Sequence, residues 1–151
     1  MSELWFYHLE RASVDEALPE LLGRLLERGG RALVVSPDEE RLKSLDSHLW
    51  TFRDDAFLPH GLDTEPGAAR QPVLLSATVR NVNGASMLFA LDGTELDPQE
   101  LKDWERVVVM FEAADEAGVA RARALWAASK SAQIPVSYWR QSPQGRWEKK
   151  A

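Results

Sequence analysis

The sequence predicts a single α/β domain with a largely parallel sheet. Apolar runs of strand length alternate with amphipathic helical segments, and short turns that carry helix-capping residues join them. The 151 residues are 44% hydrophobic and 28% charged, which are the size and composition of one globular domain. We therefore take residues 1–151 as one domain. Two strands predicted in the middle of the chain have no helix between them, which leaves a mixed sheet open.

The first elements are a strand, a helix and a second strand. Residues 4–9 form an apolar and aromatic run with strand propensity, and residues 31–35 form another. Between them, Ser13 to Glu16 is a capping box, and leucines at helical spacing follow until Gly29-Gly30. Pro19 conflicts with a regular helix. Either the first turn is separate from the rest, or the regular helix begins at Pro19.

A second helix is predicted after residue 35. Ser36 to Glu39 forms another capping box that places Pro37 at the first helical position. The helix continues through three apolar positions, Leu42, Leu45 and Leu49. Residues 50–71 then lose any period and contain several prolines and glycines, which is typical of a long loop.

The second half predicts four more strands and two helices. Residues 106–111 are the most hydrophobic run, as expected of a central strand that is covered on both faces. The other elements are strands at 72–77 and 86–91, a short helix from Asp97 to about Trp104, a long helix at 114–132 and a final strand at 134–140.

The composition excludes several classes of protein. The chain has no cysteine, so disulfides, cysteine-bound zinc, iron–sulfur clusters and thiol nucleophiles are excluded. No apolar run reaches the roughly 20 residues that span a bilayer, and the first ten residues do not resemble a signal peptide. We expect a cytoplasmic protein without a membrane partner.

The motifs for nucleotide, metal and nucleophilic chemistry are missing. The turn after the first strand, residues 10–13, has no glycine, and no P-loop occurs. The three histidines lack metal-ligand spacing, and no G-x-S-x-G elbow is present. The sequence predicts no catalytic residues, no metal and no cofactor.

Charge is distributed unevenly along the chain. The net charge is −6, which argues against broad binding to nucleic acid. Residues 117–151 nevertheless carry +6, and residues 1–116 carry −12. Aromatic residues lie among the cations of this basic segment, a combination that suits an acidic partner with apolar groups.

Two groups of residues are candidate binding sites. Val119, Arg123, Trp126 and Lys130 recur at steps of four, three and four, so they form one stripe on the long helix. Arg123 can donate a forked pair of hydrogen bonds to a carboxylate while Trp126 lines an apolar pocket. The alternative is that Trp126 anchors the core and Arg123 only extends past it.

The second group is aromatic and lies at the start of the long loop. Trp50, Phe52 and Phe57 are poor residues to leave in water. The loop therefore either folds back over its own core or presents a surface for another protein.

The chain resembles the chi subunit family of bacterial DNA polymerase III. Five segments carry the resemblance, in an order and spacing that extend over nearly the whole chain. They are Leu45 to Phe52, Phe57 to Gly61, Pro72 to Leu75, Arg123 to Trp126, and Tyr138 to Gln141 with Gly145 to Trp147.

The resemblance implies a Rossmann-like three-layer α/β fold without a nucleotide-binding loop. It also implies that the chain is a non-catalytic accessory subunit of the polymerase, which as a whole is a nucleotidyltransferase complex. Such subunits link the clamp loader to the acidic, Phe-terminated C-terminal tail of single-stranded DNA-binding protein, so contact with nucleic acid is indirect. The tail-binding arginine and aromatic residue of the family match Arg123 and Trp126. A lysine of some members falls at Val119, so that contact is lost or supplied by Arg121 or Lys130.

The resemblance also implies a second partner, the psi subunit or a helicase, at a surface that includes Trp50 and Phe57.

Two other functions remain open from the residues alone. The cations and aromatic rings of the basic segment could bind single-stranded nucleic acid directly, and an unrecognised nucleotide site would make the chain a small enzyme.

Overall fold

The computed structural model describes residues 2–10, 12–52 and 57–151, and these residues contain eight strands and three α-helices. The strands are β1 Glu3–Leu9, β2 Ala32–Val35, β3 Gly61–Leu62, β4 Val73–Ser76, β5 Met87–Ala90, β6 Arg106–Glu112, β7 Val136–Gln141 and β8 Trp147–Lys149. The helices are α1 Val14–Glu27, α2 Glu39–Thr51 and α3 Glu116–Ser131, with 3-10 segments at Ala68–Arg70 and Glu100–Asp103.

All eight strands belong to one sheet in the order β3-β4-β2-β5-β6-β1-β7-β8. Every pairing is parallel except that of β7 with β8. The predicted α/β class with a mostly parallel, mixed sheet is therefore confirmed. The mixing lies at the β7–β8 edge, whereas β4 and β5, which have no α-helix between them, both run parallel to β2.

Helices on both faces of the sheet make a three-layer arrangement. One core cluster combines the apolar sides of α1 and α2 with residues such as Leu9 and Val34, and the other combines α3 with residues such as Phe6 and Val107. The central strands β2 and β6 are buried on both faces, which explains their continuous apolar runs.

Both sequence-based alternatives for Pro19 are wrong, because α1 runs unbroken from Val14 to Glu27 with Pro19 inside it. The capping box at Ser13 is confirmed. Pro19 has no N–H to donate to the carbonyl of Asp15 one turn earlier. The imidazole Nε2 of His48 on α2 lies 2.7 Å from that carbonyl oxygen and supplies the missing donor.

The predicted start of α2 is two residues too early. Its N-cap is Asp38, whose side chain accepts a hydrogen bond from the Glu40 amide at 3.0 Å, so Pro37 lies outside the helix. Ser36 instead donates to the carboxylate of Asp92 at 2.8 Å. The three predicted apolar positions of the helix are buried as expected: Leu42, Leu45 and Leu49.

The remaining differences concern short elements. The predicted helix near residue 100 is a 3-10 segment, and the long loop begins only after Thr51. That loop contains the two-residue strand β3, and the sequence did not predict β3 or β8. Residues 53–56 of the loop lie outside the described residues.

Candidate functional site

The predicted stripe lies at the rim between α3 and the sheet. Asp115 caps the helix by accepting a hydrogen bond from the Gly118 amide at 3.1 Å. Small residues such as Ala122 face the sheet and are buried, whereas Arg123 and Lys130 are exposed. Trp126 lies between these extremes and is half-buried.

A hollow of about 350 Å³ opens beside this stripe. We call it the α3 hollow. Residues from three strands and the helix line it together with Ala151, namely Phe6, His8, Phe111, Val119, Ala122, Arg123, Trp126, Tyr138 and Ala151. The hollow brings together three of the four stripe residues.

Trp126 both anchors the helix and lines the hollow. Its indole meets Phe6 edge to face at a centroid distance of 5.3 Å and an angle of 70°, and it meets Tyr138 at 6.4 Å and 86°. These contacts hold one side of the ring against the core. The ring is nevertheless half-exposed, so it offers an apolar wall at a fixed place.

The cations beside Trp126 have different surroundings. The Lys130 ammonium lies 5.6 Å from the centre of the Trp126 ring, within cation–π range, and does not line the hollow. In the described part of the chain, Arg123 has no carboxylate partner. Arg140, near the same site, is paired with Glu10. Arg123 therefore presents an uncompensated charge at the hollow.

A histidine and a tyrosine form the polar wall of the hollow. The Nδ1 atom of His8 is hydrogen-bonded to the hydroxyl of Tyr138, and the His8 ring stacks on Phe111 at 4.9 Å. Burial lowers the pKa of His8, as do Arg140 and Arg123, against the opposing effect of Glu10. Burial also raises the pKa of Tyr138. Both groups are uncharged near neutral pH.

Sequence reasoning missed the residues that the sheet contributes to the hollow. Phe6 and His8 alternate along β1 and so point to one face, and Phe6 is paired in register with Tyr138 of β7. The alternation is visible in the sequence. The register between two strands that are 130 residues apart is not, so the convergence required the fold.

Arg121 and Lys130, the two residues that could replace a lysine at position 119, lie in different places. Arg121 lines a separate hollow of about 400 Å³ and lies against Gly93, where an added Cβ would meet the guanidinium. Lys130 lies over Trp126. The position of Lys130 is therefore the better one for a second cation near the α3 hollow.

The aromatic residues of the second predicted group converge only in part. Trp50 is 48% exposed and Phe57 is 76% exposed, and their ring centres are 5.9 Å apart. Trp50 also lies 4.3 Å from the ring of the buried His60. Phe52 is half-buried against the core cluster of α1 and α2. We call Trp50, Phe52 and Phe57 together the Trp50 surface.

The carboxyl ends of parallel strands are where α/β folds commonly bind ligands. Near the ends of β1, β2 and β5 the chain's own charged side chains pair with one another. The Arg41 guanidinium lies 2.6 Å from the Asp15 carboxylate and 3.1 Å from that of Asp92. Burial opposes the charge of Arg41, yet these two carboxylates raise its pKa overall. Within residues 2–10, 12–52 and 57–151, no three His, Asp or Glu side chains form a metal-binding group.

Comparison of the sequence with known protein families adds independent evidence. The family model "DNA polymerase III chi subunit, HolC" matches residues 1–137. The chain belongs to the chi subunit family of DNA polymerase III. The match ends just before Tyr138, so the resemblance noted at residues 138–147 lies past it. Members of this chi family are accessory subunits of the replicative polymerase.

One curated relative of this chi-family chain is "Probable DNA polymerase III subunit chi" of Rickettsia prowazekii (strain Madrid E). It is 23% identical over 115 residues, which cover 73% of this chain and 70% of the relative.

A solved structure, the C-terminal domain of Saccharomyces cerevisiae Dbp5 (L327V) bound to Gle1 H337R and IP6, has a TM-score of 0.60 at 15% identity and covers 91% of this chain and 88% of that one. At this identity the likeness shows a shared α/β fold only.

The described helices of the chi-family chain are all too short or too polar to cross a membrane.

Proposed function

We propose that this chi-family chain is a non-catalytic adaptor that binds the acidic C-terminal tail of single-stranded DNA-binding protein in the α3 hollow and so links that protein to the clamp loader. One feature carries the proposal: the exposed guanidinium of Arg123 stands beside the half-exposed indole of Trp126 at the same hollow. An adaptor of this kind works in the bacterial cytoplasm during DNA replication.

The hollow suits the end of a tail that closes with phenylalanine. A cavity of about 150 Å³ admits benzene, so a hollow of about 350 Å³ has room for a phenyl ring against Trp126 and Phe6. The terminal carboxylate of the tail would then accept hydrogen bonds from Arg123. Lys130 would attract the acidic residues that precede the phenylalanine, because the lysine lies one helical turn beyond Trp126.

The expected affinity is modest. A disordered peptide loses conformational entropy on docking, so one buried ring and a few charge-assisted contacts give a Kd on the order of micromolar. Several tails on one coated strand raise the effective affinity through avidity. Added salt weakens binding because the cations are exposed.

The direct test is a calorimetric titration of the protein with a synthetic tail peptide. Arg123→Ala should weaken binding about tenfold or more, because a hydrogen bond to a charged group contributes roughly 1.5–3 kcal/mol.

Arg121→Ala is the matched control for this titration. It removes the same charge two residues away, but Arg121 lines a different hollow. Binding should stay within about twofold of wild type after correction for a small change in net charge. Equal affinities of Arg123→Ala and wild type would rule out the α3 hollow as the tail site.

The Trp50 surface is proposed as the docking site for the second partner, psi or a helicase. The exposed rings of Trp50 and Phe57 are adjacent, and a depression of about 1160 Å³ is lined by both Phe52 and Phe57. Exposed aromatic side chains that are close together are typical of protein interfaces.

Phe57→Ala tests this surface in a pull-down with purified psi and with the helicase. Phe57 is 76% exposed, so the free energy of unfolding of the variant should differ from that of wild type by less than about 0.5 kcal/mol. We expect loss of the second partner and unchanged affinity for the tail peptide. Full retention of both candidate partners by Phe57→Ala would place their docking site elsewhere.

A further inference from the structure

Four aromatic rings form a continuous layer on the sheet face opposite α3. Trp5 and Tyr7 belong to β1, Trp139 to β7 and Trp147 to β8. The centre of the Trp5 ring lies 4.9 Å from that of Trp139, and the Tyr7 ring lies 4.5 Å from Trp147. The ring planes are inclined by only 16° to 43° to one another. All three indoles are half-exposed, and the rings lie against one another, so the layer offers its ring edges and the uncovered parts of its faces to solvent.

A groove of about 270 Å³ runs between this layer and α1. We call it the arginine groove because three arginines line it and, among the described residues, no carboxylate does. Arg24 lies in the last turn of α1 and Arg28 is the C-cap residue of that helix. The Arg106 guanidinium lies 3.7 Å from the centre of the Trp5 ring.

Nearby carboxylates compensate these cations only in part. Glu20 pairs with Arg24 at 2.6 Å, and Glu3 reaches Arg106 only at 3.9 Å. In the described part of the chain, Arg28 has no carboxylate partner. The groove is therefore locally positive although the chain as a whole is acidic.

Two nitrogen atoms of groove residues lack acceptors. The Nε atom of Arg106 and the Nε1 atom of Trp139 are buried and have no hydrogen-bond partner among the described residues. A buried N–H without a partner is unfavourable. The chain itself encloses both atoms, so a ligand could reach them only after the groove side chains move.

We propose that the arginine groove binds unpaired bases of a single-stranded nucleic acid, with the bases on the aromatic layer and the phosphates on the arginines. Stacked aromatic faces beside cations are the features with which proteins hold single strands without sequence preference. An acidic peptide would use the arginines but would leave most of the layer uncovered. Nucleic acid supplies both flat rings and anions.

The groove and the α3 hollow lie on opposite faces of the sheet. Tyr138 and Trp139 are neighbours on β7, and their side chains alternate, so Tyr138 lines the hollow and Trp139 lines the groove. The two sites can therefore be occupied at the same time. The nucleic-acid proposal does not depend on the tail proposal.

The test is fluorescence anisotropy of a labelled oligothymidylate at low salt, together with quenching of the protein's tryptophan emission. Wild type should bind weakly and show quenching. Trp139→Ala should lower affinity by about tenfold, since stacking of a base on an aromatic ring contributes roughly 1–3 kcal/mol. Arg28 is exposed, so Arg28→Gln should keep the fold. Loss of this one cation should reduce the slope of log affinity against log salt concentration by about one.

Two controls separate the groove from other causes. Arg80→Gln removes one exposed arginine that does not line the groove and should keep the wild-type salt dependence. Arg123→Ala should bind the oligonucleotide as wild type does. The absence of any anisotropy change at low salt would overturn the proposal, as would wild-type binding by both Trp139→Ala and Arg28→Gln. Loss of binding in Arg123→Ala would place the oligonucleotide at the α3 hollow instead. Displacement of the oligonucleotide by polyglutamate at an equal charge concentration would show that the groove binds anions without using base stacking, which also overturns the proposal.

Discussion

At the scale of single residues, the surroundings of an arginine decide what it can do. Arg41 is held between the carboxylates of Asp15 and Asp92, so its charge is used within the fold. Arg123 is exposed and, in the residues that the structure describes, has no such partner, so its charge is available to a ligand. The sequence shows the residue type and not this difference.

His8 gives a prediction about the pH dependence of stability. Its pKa in the folded protein lies below the ordinary value of 6.5, first because of burial and then because of Arg140 and Arg123. Well above pH 6.5 the ring is neutral in both states, so His8 contributes no pH dependence there. As the pH falls below 6.5, the unfolded chain takes up the proton first and stability is lost.

The measurement is the free energy of unfolding in urea above and below pH 6.5 for wild type and His8→Gln. We expect the variant to lose less stability than wild type over this interval. The other histidines are common to both proteins and cancel in the comparison. Identical losses in the two proteins would show that the pKa of His8 is not lowered by folding.

How far the site was predictable also differs from residue to residue. The spacing of Val119, Arg123 and Trp126 on a helix was enough to place them on one side of α3. His8 and Tyr138 reach the same hollow only through the parallel pairing of β1 with β7. Sheet register between distant strands is a tertiary property, and local pattern does not encode it.

At the scale of elements, α1 shows how a local rule is overridden by a contact from elsewhere. Helix propensity predicts a break at Pro19. The helix continues because the freed carbonyl of Asp15 is paired with His48 of α2. The capping boxes and glycine stops, by contrast, are local signals, and the one at Ser13 predicted the helix start correctly.

A double-mutant cycle tests this explanation of α1. His48→Phe keeps an aromatic ring but removes the donor, and we expect it to lower the free energy of unfolding by about 1–2 kcal/mol. In the Pro19→Ala background the same change should be smaller by about 1 kcal/mol, because the new N–H of residue 19 can donate to Asp15. Urea denaturation of the four proteins gives the coupling. Equal effects of His48→Phe in both backgrounds would contradict the explanation.

Short edge strands were beyond the reach of the sequence for a similar reason. β3 has two residues and β8 has three, and each pairs with one neighbour at an edge of the sheet. Such strands have too few residues to show a period of two. Their existence depends on the strand beside them.

At the scale of the whole molecule, the sheet separates surfaces of different chemistry. The α3 face carries the hollow of Arg123 and Trp126, and the opposite face carries the arginine groove. The Trp50 surface lies near the end of α2. The proposed adaptor function requires such a separation of surfaces. The basic last quarter of an otherwise acidic chain contributes residues to both faces.

The most direct test is a two-dimensional proton–nitrogen NMR titration of the labelled protein with the acidic, Phe-terminated tail peptide. The six tryptophans report on different places through their indole N–H signals. We predict that the Trp126 signal moves with saturation, while those of the buried Trp104, the exposed Trp50 and the groove residue Trp139 stay in place. A stationary Trp126 signal together with a moving signal from any of the other three would contradict the α3 hollow as the tail-binding site.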